Sequence, residues 1–197
     1  IEKIKGVQRD YSFIVSGKKT VFWGRPEAGG DIWSAVFNQL RETGDLNDES
    51  DVLTIGPRFD LEIHFFRDTL GLKNTIGLDL HSDDESLIRV GDMHCMPFED
   101  NSFDMIYQKN TFNKSYDIRK ALEECVRVLR PGGILVSDEC LDYVDGVSEI
   151  ARTNIVSNEW YLNCLRDNVE KVVFNKEWTA SASFIRKSGG IALKIKK

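Results

Sequence analysis

The stretch Asp51-Val-Leu-Thr-Ile-Gly-Pro-Arg-Phe-Asp60 decides the fold. Val52, Leu53 and Ile55 form a short apolar run of the length of one buried strand. Gly56 and Pro57 end it, because Gly accepts unusual backbone angles and Pro cannot continue a strand ladder. The segment LEIHFFRDTLG then places Leu61, Phe65 and Leu70 near helical spacing, with Gly71 as its C-terminal cap. A strand, a tight Gly turn and a helix follow one another. In an open α/β sheet, ligands sit at the carboxyl end of such a strand, against the helix N-terminus.

Short apolar strands recur downstream. NTIGLDL (74–80) ends in Asp79 and runs into a polar loop, His81 to Glu85. Ile88 and Val90 precede Gly91 and Asp92, and FDMIYQ (103–108) is a fourth strand. Asp117 to Leu129 has an amphipathic helical pattern, with Ala121, Leu122, Cys125, Val128 and Leu129 on one side. Arg130-Pro131-Gly132-Gly133 breaks that helix, and ILVSDE is the fifth strand. Strands alternating with helices predict a doubly wound, mostly parallel α/β sheet in three αβα layers. Upstream, Asp31 reads as the N-cap of a helix over IWSAVFNQLRET, and Tyr11–Val15 and Thr20–Trp23 read as short strands. Downstream, a helix is expected from Asn154 to Leu165. Two strands, VEKVVF and GGIALKIKK, then follow with no helix between them, joined by a loop carrying Trp178 and Phe184. Strands joined in that way are antiparallel, so the last strand should run against the rest.

The chain has 197 residues, 41% of them hydrophobic, which fits one globular domain. The expected layout is an N-terminal cover and first helix over 1–50, a cofactor-binding core over 51–140, and a C-terminal helix with an antiparallel hairpin over 141–197. A net charge of −6 argues against a nucleic-acid phosphate backbone as the main partner. No apolar run approaches the span of a bilayer and no signal-peptide pattern opens the chain, so a membrane partner is not expected and a cytoplasmic location is. The first residue is Ile rather than Met, which leaves room for preceding residues. Cys95, Cys125, Cys140 and Cys164 form no CxxC pair and read as free buried thiols. His64, His81 and His94 are not clustered with them, so no metal site is expected.

Four segments carry a resemblance: VLTIG, GLDL, VGDMHCMPFEDNSFDMIY and EECVRVLRPGGILVSDE. In this order and spacing they resemble the class I S-adenosylmethionine-dependent methyltransferases, in particular the methyltransferase type 11 group. The resemblance implies a seven-stranded sheet with an antiparallel seventh strand, S-adenosylmethionine as cofactor, and methyl transfer to a small-molecule or glycan-type acceptor. It implies cofactor-binding roles for Gly56, Pro57, Arg58, Glu62, Asp79, Leu80, Asp92, Met93, Gln108 and Asn110. Asp79 would accept from the ribose hydroxyls, as acidic residues do in dinucleotide folds. The competing reading of Asp79 is a cap for a following helix. Asp92 would accept from the adenine amino group, with Met93 as a soft apolar face, and the competing reading is a turn Asp. Lys109 and Lys114 follow the fourth strand and are either holders of an anionic acceptor or solvated charges. Phe98 and Phe103 read as core. Trp23, Trp33, Tyr143 and Trp160 are candidates to line an acceptor cover and equally candidates for core. No catalytic acid or base is assigned, and no oligomeric state.

The chain departs from the group at its central turn. The usual acidic-x-Gly-x-Gly-x-Gly becomes Thr54-x-Gly56-x-Arg58-x-Asp60. A Gly-x-Arg-x-x-x-Glu variant, with Arg58 and Glu62, fits instead. The rival expectation is a methyltransferase-like binding module without activity. A nicotinamide-dependent reductase is disfavoured because G-x-G-x-x-G is absent.

Overall fold

The computed structural model describes residues 30–57, 60–141, 157–181 and 185–196. The expected strands at Tyr11–Val15 and Thr20–Trp23, and Arg58, Tyr143 and Phe184, lie outside them. Along the chain run α1 (Gly30–Glu42), β1 (Asp51–Ile55), α2 (Leu61–His64), β2 (Asn74–Asp79), β3 (Ile88–Val90), β4 (Phe103–Lys109), α3 (Ile118–Val128), β5 (Leu129–Cys140), α4 (Asn158–Cys164), β6 (Val169–Ser181) and β7 (Ile185–Ile195).

The strands form one seven-stranded sheet in the order β3-β2-β1-β4-β5-β7-β6. β1 pairs in parallel with β2 and with β4, and β4 with β5. β7 is antiparallel to both β5 and β6. The expected sense of the last strand is therefore observed, although β7 lies inside the sheet and β6 takes the edge. From β1 the chain winds outward to β2 and β3, then returns to β4 on the other side. That reversal opens a crevice at the carboxyl end of β1.

Strand alternation distributes the core to two faces. Leu53, Ile55, Ile106, Leu135 and Leu193 pack with Ile118, Leu122 and Cys125 of α3 and Tyr161 of α4. Val52, Met105, Tyr107, Ile134, Val136 and Ala192 face the other way, against Trp33, Val36, Phe37 and Leu40 of α1 and against Phe65 and Phe66. Four residues apart on a helix share a face, so the Trp33–Phe37 pair stacks at 6.1 Å, and both rings meet Tyr107 of β4 edge to face at 6.3 Å. α3 starts on Asp117, whose side chain accepts from Lys120 N at 3.2 Å.

Several sequence boundaries need correction. Asp31 lies inside the first turn of α1 rather than before it. After Leu61–His64 the chain widens into a π-helical turn, Phe65–Thr69, which brings the adjacent Phe65 and Phe66 both into the core. Gly71 does follow it with φ +70°. β5 begins at Leu129, so Arg130-Pro131-Gly132-Gly133 belongs to the strand, in which Phe103 pairs with Leu129 and Met105 with Ile134. Of the helix expected from Asn154, residues 154–156 lie outside the described ones and α4 begins at Asn158, while Trp178 sits in β6 opposite Ser188 rather than on a loop. Cys125 and Cys140 are buried, whereas Cys95 is exposed.

Candidate functional site

The carboxyl ends of β1 and β2, the turn after β3 and the segment after β4 enclose a cleft of about 510 Å³. Its lining includes Gly56, Asp79, Leu80, Asp92, Met93 and Lys114. Five of the ten residues expected to bind the cofactor thus meet at one place, although they come from three separate turns.

Gly56 ends β1 with φ +63° and its N–H donates to Leu78 O at 2.8 Å. A Cβ there would stand 2.5 Å from Thr111 Oγ1, so the residue must be Gly for both its angle and its neighbour. Pro57 is buried beside Gly77 of β2 and does not line the cleft. Glu62 is half-buried in the first turn of α2, outside the cleft lining. Thr54, at the position where the resembled group is acidic, is wholly buried and its hydroxyl has no hydrogen-bond partner among the described residues.

Asp79 closes β2, and no helix follows it, so it caps none. Among the described residues its carboxylate accepts one long bond, from His81 N at 3.4 Å. Leu80, next to it, is 75% exposed. Asp92 is engaged differently. Its Oδ1 accepts from His94 N at 2.9 Å and lies 2.5 Å from His94 Nδ1, while Oδ2 is 3.4 Å from the Tyr116 hydroxyl. The His94 contacts hold its carboxyl below the usual range, outweighing the burial that pushes it up. His94 is buried, its Nε2 is 2.6 Å from Ser115 Oγ, and its ring stacks on Tyr116 at 3.7 Å. Sequence reading missed His94, Tyr116 and Thr111, because their contacts join segments far apart in the chain.

Gln108 is fully buried: its amide donates to Ser137 Oγ and to Glu139 Oε2 at 3.1 Å, and its carbonyl accepts from Thr111 N at 2.9 Å. Asn110, at φ +51°, accepts from Cys140 N at 2.7 Å through its side chain. Both tie the end of β4 to β5 and lie behind the cleft rather than along it. Burial pushes the Glu139 carboxyl up to about 8, against the smaller opposing effect of the Gln108 hydrogen bond. Lys109 is not free for an acceptor, since it pairs with Asp138 at 3.2 Å. Trp33 is core, and its Nε1 donates to Asp138 Oδ2 at 3.1 Å. Trp160 packs half-buried against the α3 side, and Phe98 and Phe103 pack edge to face in the core at 5.0 Å.

Comparison with known proteins agrees with this fold. A family model described as a methyltransferase domain matches residues 69–137. The chain is 43% identical over 51 residues to malonyl-[acyl-carrier protein] O-methyltransferase 1 of Coxiella burnetii, a stretch covering 26% of this chain and 18% of that protein. Its fold superimposes on a provisionally described sarcosine dimethylglycine methyltransferase from Galdieria sulphuraria with TM-score 0.66, at 17% identity over 85% of this chain and 86% of that one. It also superimposes on phosphoethanolamine N-methyltransferase 2 of Haemonchus contortus, solved with phosphomonomethylethanolamine and S-adenosylhomocysteine, with TM-score 0.61, at 14% identity over 84% of this chain and 53% of that one. Residues 69–137 thus match a methyltransferase domain, and the chain has the fold of the class I, S-adenosylmethionine-dependent methyltransferases. No described helix is long and apolar enough to cross a membrane.

Proposed function

We propose that the protein transfers a methyl group from S-adenosylmethionine to a small-molecule or glycan-type acceptor in the cytoplasm. The observation that carries this reading is the meeting of Asp79 and Asp92 with Gly56 in one cleft at the reversal of the sheet. The cleft suits the cofactor: about 510 Å³ lies within the range of small-molecule sites, and its rim exposes Leu80 and Tyr116, at 75% and 59%, to an apolar ring.

The cofactor supplies a methyl group already activated on sulfonium. The chain's task is then binding and alignment, which contributes through lost freedom rather than through an acid or base. Asp79 takes the ribose hydroxyls and Asp92 the adenine amino group, with Met93 and Leu80 against the ring. Glu62, in the first turn of α2 and outside the cleft lining proper, and Arg58 would serve the ammonium and carboxylate of the methionine end, Arg being suited to a bidentate carboxylate contact. Pro57, Gln108 and Asn110 hold the cleft walls in place. Lys114 projects into the cleft lining and offers a cation to an anionic acceptor. The malonyl-[acyl-carrier protein] relative covers too small a share of either chain to name that acceptor.

A second reading, a binding module without activity, draws on Thr54, which puts a neutral hydroxyl where the resembled group is acidic. Incubation with methyl-labelled S-adenosylmethionine and a panel of small acids, amines and sugars separates the two. Label on any acceptor, absent from heat-treated protein, supports the enzyme. Cofactor binding with no transfer across the panel supports the module.

A further inference from the structure

We propose that His94 is a positioning residue that turns Asp92 into a selector for the exocyclic amino group of adenine, an inference that rests on the cofactor reading above. Two donors of His94, its backbone N–H at 2.9 Å and its ring Nδ1 at 2.5 Å, converge on the same oxygen, Asp92 Oδ1. That leaves Oδ2, which among the described residues faces the Tyr116 hydroxyl at 3.4 Å, well beyond ordinary O–H···O length. Asp92 lines the cleft, so Oδ2 is its acceptor toward a ligand.

The ring that imposes this is itself fixed. His94 is 2% exposed and stacked on Tyr116 with an interplanar angle of 28°. Its Nε2 faces the Asp117 N–H at 3.5 Å and the Ser115 hydroxyl at 2.6 Å. A carboxylate oxygen can only accept, so a ring proton sits on Nδ1, facing Asp92; the Asp117 N–H lies closer to Ser115 Oγ, at 3.2 Å, which leaves the Ser115 hydroxyl proton for Nε2. Ser115 is buried in the segment leading into α3, whose first turn is capped by Asp117. An otherwise half-exposed turn carboxylate is thus held by a side chain that is locked from its far end. A carboxylate fixed this way accepts from an amino group and rejects a ring edge that offers it no donor, because the unmet acceptor would be desolvated for nothing.

The test compares calorimetric affinities for S-adenosylhomocysteine and for its analogue with hydrogen in place of the 6-amino group. The wild-type protein should prefer the amino compound by on the order of tenfold or more. H94N places an amide N–H where Nδ1 stands and should keep that preference. H94Q reaches toward Ser115 instead and should lose most of it, with the analogue bound as before. Melting curves of each variant report folding, and Y116F, which removes only the hydroxyl facing Oδ2, should retain the preference. Equal weakening of both ligands in H94Q, or an unchanged preference in it, overturns the inference while leaving the cofactor reading intact. Wild-type protein that binds neither compound overturns both.

Discussion

Asp92 and Glu139 are both carboxylates near the carboxyl end of the sheet, and the fold drives them in opposite directions. Asp92 is half-exposed and held by His94, so it stays charged. Glu139 is sealed among Gln108, Ser137 and Tyr161, with one oxygen lacking a partner among the described residues, and is pushed up to about 8. Environment rather than residue type decides the charge. The β2–β3 side of the cleft therefore offers Asp92 to a ligand as a charged acceptor. The β4–β5 side, where Glu139 is held protonated and Lys109 is paired with Asp138, is the scaffold behind it.

The largest expected effect lies on the scaffold side. With the folded value of Glu139 near 8 and the ordinary value at 4.5, both states hold the proton below pH 4.5. Between those limits the unfolded chain releases it and the folded chain keeps it, so this group lowers stability as pH rises, by up to about 1.4 kcal/mol per pH unit. Glu139→Gln should remove that slope: urea melts should match wild type near pH 4.5 and show a more stable variant at pH 8. Parallel wild-type and variant profiles across that interval would mean that Glu139 is charged in the fold.

On the ligand side, Asp79→Ala should weaken S-adenosylhomocysteine by roughly 1.5–3 kcal/mol, as for a lost charge-assisted acceptor. Asp83→Ala, on the exposed loop beyond β2, should change calorimetric affinity little. Equal losses would remove the ribose assignment. At the junction of the two sides, Gly56→Ala meets Thr111 and a positive φ, and should cost about 1–3 kcal/mol of stability in urea together with ligand binding. Glu62→Gln should reduce affinity by on the order of tenfold with little change in melting, since a helix-end charge alone contributes under about 1 kcal/mol. Asp60→Asn, its control, should bind nearly as wild type. The reverse order would move the methionine-end carboxylate to Asp60.

The same division explains what the sequence revealed. The parallel strands were legible because strands buried on both faces are continuous apolar runs, as VLTI and MIY are, and because Gly and Pro mark their ends. Asp79 and Asp92 were legible because each closes or follows a strand, so chain order alone puts them at the same edge. The π-helical turn was not, since it is set by Phe65 and Phe66 both finding the core. Nor was the length of β6, which depends on pairing with β7 as far as Ser181 and Ile185. The contacts of His94 with Ser115 and of Lys109 with Asp138 join residues brought together only by the folded sheet. No periodicity records them.

The central claim is that this cleft holds S-adenosylmethionine, and titration calorimetry with S-adenosylhomocysteine tests it most directly. The account predicts saturable binding of one ligand per chain, with a melting temperature that rises as ligand exceeds its dissociation constant. No heat and no thermal shift at millimolar ligand would contradict it.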